Sequence, residues 1–213
     1  MRKLLIIAAA IFVTTGVSRA SPSNCVTGSL SGFVSLGSSG CSINGNVVSN
    51  FSSSLSSTLQ NGVTLTPNTS GTDMGGFTAD FDLSALAGTS STLNFTLMAP
   101  AGFNVTDLDV RLSGGTGATV TLSSATVSGL NLTLTNSPSS TQSATFSGVS
   151  SLNLSLSLTA AANASGHVKL TITPSLSSSG TGSTPEPATV SLFGLGLLGL
   201  GLVYRRRMRA INS

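Results

Sequence analysis

Two runs of leucine limit what this chain can become. Leu130, Leu132 and Leu134 alternate with Asn131, Thr133 and Thr135, and Leu152, Leu154, Leu156 and Leu158 alternate with Asn153, Ser155, Ser157 and Thr159. A period of two with one apolar face describes a strand half buried against a core, whereas a helix needs apolar residues three and four apart. The same alternation recurs in Phe77 to Leu83, Leu93 to Leu97, Leu108 to Leu112, Val120 to Leu122 and Val168 to Ile172. Turn formers separate the runs: Gly75-Gly76, Pro100-Ala101-Gly102, Gly114-Gly115, Asn136-Ser137-Pro138 and Gly166. Short strands at roughly 10 to 15 residue spacing predict an all-β fold, an antiparallel β-sandwich of about seven to nine strands.

Composition enters as a test of that reading. Between Ser21 and Thr184 more than a third of the residues are Ser or Thr, there is no Trp, and the single Tyr of the chain lies later, at position 204. High polarity with little charge accompanies disorder in many chains, but disorder does not require a period of two. Residues 21–174 are therefore read as one Ser/Thr-rich sandwich domain, and residues 175–184, where the alternation ends, as a flexible linker. Helix is expected only in the two terminal segments.

The N-terminal segment opens with Arg2 and Lys3, continues through the apolar stretch Leu4 to Val13 and closes on Ser18-Arg19-Ala20. This is the pattern of a helical signal peptide, residues 1–20, cut by signal peptidase after Ala20. At the other end, Pro185-Glu186-Pro187 precedes an apolar run from Ala188 to Tyr204, and Arg205, Arg206, Arg207 and Arg209 follow it. As a helix the run covers roughly 26 Å, near the lower limit for crossing a bilayer core of about 30 Å. Arginines directly after the run stay on the cytoplasmic side, which places the bulk of the chain across the inner membrane. Its glycines, Gly194, Gly196, Gly199 and Gly201, are not spaced as a G-x-x-x-G dimerisation motif.

Most of the basic charge belongs to these ends. Between Ser21 and Thr184, Arg111 and Lys169 stand against Asp73, Asp80, Asp82, Asp107 and Asp109, a net of 2 − 5 = −3. Nucleic acid is excluded as a partner on this ground, because the domain has no basic patch to neutralise phosphates.

Pro-Glu-Pro, a short Leu/Gly-rich apolar run and terminal arginines, in that order, resemble the PEP-CTERM sorting signal of Gram-negative bacteria. The positions that match are Pro185, Glu186, Pro187, Arg205, Arg206 and Arg207, within the last 29 of 213 residues. The resemblance implies that an exosortase, a membrane-embedded cysteine protease, recognises the tail and removes it, releasing the protein towards the cell surface or matrix. Cys25 through Cys41-Ser42-Ile43-Asn44-Gly45, with Val48-Ser49-Asn50-Phe51-Ser52, also resembles the opening of many such proteins. That second likeness implies no catalytic role.

Residues with chemistry are few. Cys25 and Cys41, the only cysteines, lie in the exported part, where an oxidising compartment favours a disulfide; closing a loop of about 16 residues would contribute on the order of 3 kcal/mol. Two cysteines do not complete a zinc site. Asp80 with Asp82, and Asp107 with Asp109, are spaced to share a strand face. Brought together, or joined by Asp73, they are candidates for Ca²⁺ or for a glycosidase carboxylate pair; otherwise they form the solvated face of strands whose Phe and Leu point inward. His167 is the only imidazole, and no G-x-S-x-G elbow occurs in the domain. Seven Asn-x-Ser/Thr triplets begin at Asn50, Asn68, Asn94, Asn104, Asn131, Asn153 and Asn163. The expectation is a surface or extracellular-matrix structural component with no cofactor and no enzymatic activity, and with extracellular polysaccharide as a candidate partner. The other reading is a calcium- or glycan-binding adhesin that stays anchored in the inner membrane.

Overall fold

The computed structural model describes residues 22–70, 75–136 and 139–179. The signal-peptide segment, the apolar run 188–204 and the sorting residues Pro185, Glu186, Pro187 and Arg205 to Arg207 lie outside them. Asp73 does too. Among the described residues no helix is long and apolar enough to cross a membrane.

Twelve strands form two six-stranded sheets, both built of antiparallel pairs. Sheet I takes β1 (Gly28–Ser29), β4 (Thr64–Pro67), β5 (Phe77–Asp82), β12 (His167–Ser178), β7 (Phe103–Ser113) and β10 (Ser139–Val149), in that spatial order. Sheet II takes β2 (Cys41–Ile43), β3 (Asn46–Ser53), β6 (Ser90–Met98), β11 (Ser151–Ser165), β8 (Thr116–Ser124) and β9 (Asn131–Thr135). The alternating leucines do what their period requires. Leu152, Leu154, Leu156 and Leu158 are buried, while Asn153, Ser155, Ser157 and Thr159 face outward. Sheet I answers with Phe77, Ala79 and Phe81 from β5, Leu108, Val110 and Leu112 from β7, and Val168, Leu170 and Ile172 from β12. The apolar layer between the sheets is therefore continuous.

Four phenylalanines fasten one end of that layer. Phe51 of β3 stacks on Phe95 of β6 with ring centroids 5.6 Å apart, and Phe77 of sheet I meets Phe95 edge-on at 5.1 Å. Phe33 closes the group against Phe51 at 5.3 Å. Such pairs contribute about 0.5–1.5 kcal/mol beyond area burial and here tie four elements together, three strands and the segment Leu30–Ser35.

The structure departs from the sequence expectation in three ways. Its described residues form twelve strands, because β1, β2, β4 and β10 are too short or too polar to show an apolar period, and β3 is broken by a bulge between Ser49 and Ser52. Three short helices lie inside the domain: α1 (Leu30–Ser35), α2 (Ser57–Gly62) and α3 (Leu83–Leu86). Each is capped by a side chain, Ser29, Ser56 and Asp82 respectively, and none is long enough to display a helical period. Finally, β12 runs through Ser178, into the stretch read as linker: Leu176, Ser177 and Ser178 pair with Val105, Asn104 and Phe103. Backbone pairing with the long β7 holds this polar segment, and pairing does not need an apolar side chain.

Asn44 and Gly45 both have positive φ, 49° and 89°, as the two-residue turn between β2 and β3 requires. At Gly76 the need is different. A Cβ there would stand 1.8 Å from the Ile172 carbonyl oxygen, so only glycine lets the start of β5 lie against β12.

Candidate functional site

The outer faces of the two sheets carry different chemistry. Among the described residues all six Asp, Arg and Lys side chains belong to β5, β7 or β12 of sheet I: Asp80, Asp82, Asp107, Asp109, Arg111 and Lys169. The register explains their arrangement. Asp80 lies opposite Lys169, and Arg111 lies opposite Thr171 on one side and Thr141 on the other.

The two aspartate pairs do not come together. Asp80 and Asp82 are on β5, Asp107 and Asp109 are on β7, and β12 runs between them with Lys169 in the row of Asp80. Among the described residues no group of three His, Cys, Asp or Glu side chains could hold a metal ion. Asp82 is used locally, accepting from the Ser84 backbone N–H at 2.9 Å to cap α3. His167 Nδ1 lies 3.1 Å from Asp80 Oδ1, on a largely exposed side chain. Among the described residues no serine hydroxyl is hydrogen-bonded to this ring, so the constellation a hydrolase would need is not assembled there.

Sheet II presents the opposite surface. Reading across its strands, Thr135, Thr119, Thr159 and Ser90 form one row, and Thr133, Thr121, Ser157 and Thr92 form the next. Asn131, Ser123, Ser155, Asn94 and Ser52 form a third. No charged side chain interrupts these rows. Cross-strand bonds hold several of their members: Ser90 and Thr159 hydroxyls are 3.1 Å apart, and those of Thr121 and Thr133 are 3.3 Å apart.

Where β3, β6 and β11 run side by side the face dips into a hollow of about 240 Å³ whose polar lining is Asn50, Asn94, Thr96, Asn153 and Ser155 and whose apolar lining is Phe95, Ala125 and Leu154. The bulge in β3, between Ser49 and Ser52, lies at its margin. Asn50, at φ 55°, leaves the regular strand path and donates from Nδ2 to Thr96 Oγ1 at 3.3 Å. Thr96 in turn donates to Asn153 Oδ1 at 2.9 Å, and Asn94 Nδ2 donates to Ser52 Oγ at 3.3 Å. Each carboxamide keeps unused donor or acceptor capacity, since an amide offers two donors and two lone pairs. The result is a shallow, uncharged site that presents both kinds of hydrogen-bonding group. It is smaller than the roughly 300–1,000 Å³ typical of drug-sized ligand pockets.

The C-terminal tail is read from sequence alone, and comparison with known families is decisive there. Residues 183–207 match the family described as the PEP-CTERM protein-sorting motif. The chain carries a PEP-CTERM sorting motif. The match covers Pro185, Glu186, Pro187 and Arg205 to Arg207, and it marks an exported protein of the kind an exosortase handles.

No curated protein gives a significant match to this PEP-CTERM chain. Two solved structures show partial likeness. One is TmCBM61 in complex with β-1,4-galactotriose, 13% identical, with a TM-score of 0.37 over 60% of this chain and 88% of that one. The other is the family 11 carbohydrate-binding module from Clostridium thermocellum in complex with a β-1,3-1,4-mixed-linked tetrasaccharide, 10% identical, with a TM-score of 0.27 over 61% and 86%. Both scores are too low to establish a shared fold.

Cys25 and Cys41 form a disulfide, with Cα atoms 4.9 Å apart. Around it Cys25 N–H donates to the Ser42 carbonyl and Ser42 N–H to the Ser23 carbonyl, both at 2.8 Å. The bridge thus pins residues 23–25 along the free side of β2.

Sequence reasoning saw Asn50, Asn94 and Asn153 as triplet asparagines, Asn153 also as a polar residue of an alternating strand, and missed their convergence. A signal was present in the spacing. In a strand, Asn at one position and Ser or Thr two further on share a face, so Asn94 with Thr96 and Asn153 with Ser155 already describe a neutral outer surface.

Proposed function

We propose that this PEP-CTERM protein is a non-enzymatic surface or extracellular-matrix component that touches neutral polysaccharide through the outer face of sheet II. In this reading the signal peptide is removed after Ala20. The segment 188–204 then halts the chain in the inner membrane with Arg205, Arg206, Arg207 and Arg209 inside, and an exosortase cuts near Pro185-Glu186-Pro187 to release residues 21–184. Proline suits the recognition site, because it refuses helix and holds the segment extended at the membrane face.

The match at residues 183–207 carries the sorting half of the proposal. Its test is the intact mass and cell fraction of the native protein, with and without the exosortase. A mature chain lacking both ends, found outside the inner membrane only when the exosortase is present, is the expected result. A full-length C-terminus in the inner membrane of both strains would sink it.

The uncharged rows and the carboxamide hollow support the second half. A neutral polysaccharide offers hydroxyls that both donate and accept, and no charge for sheet I to engage. Affinity electrophoresis through gels holding a galactan or a mixed-linkage glucan, with anionic alginate as the control polymer, reads this directly. Retardation by a neutral polymer should weaken about tenfold in the pair Asn94→Ala with Asn153→Ala, each lost hydrogen bond contributing roughly 0.5–1.5 kcal/mol. Equal retardation of wild type and variant would reject the face.

A further inference from the structure

The sandwich has four sheet edges, and they are not treated alike. On one side β1 is two residues long, and β2 is three residues long and flanked by residues 23–25, which the disulfide holds in place. On the other side β9 has five residues, whereas β10 has eleven. Edge strands offer a row of unpaired N–H and C=O groups, and soluble proteins blunt them with shortness, charge, proline or a cover. β10 pairs only with β7, and among the described residues no other backbone hydrogen bond reaches it. Its sequence, Ser-Ser-Thr-Gln-Ser-Ala-Thr-Phe-Ser-Gly-Val, has neither charge nor proline, and none of its residues is buried. The one protective device is a bulge between Thr145 and Val149, which leaves Ser139–Thr145 as a regular ladder.

We infer that the β10 edge is an assembly surface where Ser139–Thr145 pairs antiparallel with the same strand of a second copy, joining two six-stranded sheets into one. The groups on offer are backbone donors and acceptors, so the partner must be an extended strand. The uncharged sequence favours a second copy as that partner: self-pairing sets Ser, Thr, Gln and Ala against one another with no like-charge contact to oppose it. Antiparallel self-pairing is also two-fold symmetric, so it closes as a dimer. This surface is separate from the neutral face and does not depend on polysaccharide.

Both native cysteines are held in the disulfide, so an introduced cysteine is the only free thiol. Ser139→Cys, Thr141→Cys, Ser143→Cys and Thr145→Cys, each in the full chain, would be treated with a short bismaleimide in the exporting cells and after purification. The expected result is a covalent dimer whose yield peaks at one position, the residue nearest the two-fold axis, and falls on either side. Thr121→Cys on the neutral face should stay monomeric. Thr141→Lys with Ser143→Lys should lower the association constant by at least about tenfold in light scattering, since like charges then face each other, with an unchanged circular dichroism spectrum. No dimer at any of the four positions, or equal yield from Thr121→Cys, would overturn the inference. So would protection of the edge amides from hydrogen exchange in a strictly monomeric sample, because the chain's own tail would then occupy the edge.

Discussion

Sheets I and II bury the same kind of side chain and expose opposite kinds. Inward, Leu108, Val110 and Leu112 of β7 are equivalent in role to Leu154, Leu156 and Leu158 of β11. Outward, β7 carries Asp107, Asp109 and Arg111, whereas β11 carries Ser155, Ser157 and Thr159. In a strand the two faces are set by alternate residues, so an outer face can change without disturbing the core. Chance would scatter six charges over both faces. Their confinement to sheet I leaves one surface able to meet a neutral polymer without desolvating an ion, which is the costly step in burying a charge.

The comparison supposes that one core carries both faces, and the largest expected effect tests that. Phe51 is buried and touches Phe33, Phe77 and Phe95, so it links sheet II to sheet I. Phe51→Ala should cost about 3–5 kcal/mol in urea unfolding. Circular dichroism and protection of both sheets in hydrogen exchange should be lost in a single transition. If sheet II melted alone while sheet I persisted, the two faces would belong to independent units.

A smaller effect should come from the edge that is closed by covalent means. Cys25→Ser with Cys41→Ser should remove on the order of 3 kcal/mol, the amount expected for a loop of about this length. Hydrogen exchange should rise first in β2 and residues 23–25. An equal rise in β10 would show that the two edges are not separately controlled.

How much of this was legible depended on whether a residue's neighbours are local. The period of two gave β5 to β9, β11 and β12, because apolar alternation is a property of a single strand. Gly114 and Gly115, with φ 78° and 59°, were legible as a turn for the same reason. β10 was not, since its sequence has no apolar face and its place comes from pairing with β7. β3 carried no period of two, because Asn46–Ser53 bulges between Ser49 and Ser52, where Asn50 has positive φ. The hollow was invisible for a topological reason: Asn50, Asn94 and Asn153 are adjacent only because β3, β6 and β11 are neighbours in the sheet. The charged face misled in the other direction. Asp80 with Asp82 and Asp107 with Asp109 were correctly placed on strand faces, but nothing local revealed that β12 would insert between them.

The smallest effect concerns what holds the charged face in order. His167 Nδ1 and Asp80 Oδ1 make the one His–carboxylate contact among the described residues, an ion pair only when the ring is protonated, and the His167 side chain is 65% exposed. An exposed pair is screened by water and salt and is worth about 0–1 kcal/mol. A double-mutant cycle of His167→Gln and Asp80→Asn should therefore give a coupling within that range. The neutral face, by contrast, is held by hydroxyl and amide bonds such as Thr96 to Asn153, which carry no net charge. A coupling measured there with Thr96→Val and Asn153→Ala should be of similar size and should not change between low and high salt, whereas the His167–Asp80 coupling should fall as salt rises. If both couplings fell together, the difference between the faces would be one of composition only, and the neutral rows would lose their claim to a distinct physical character.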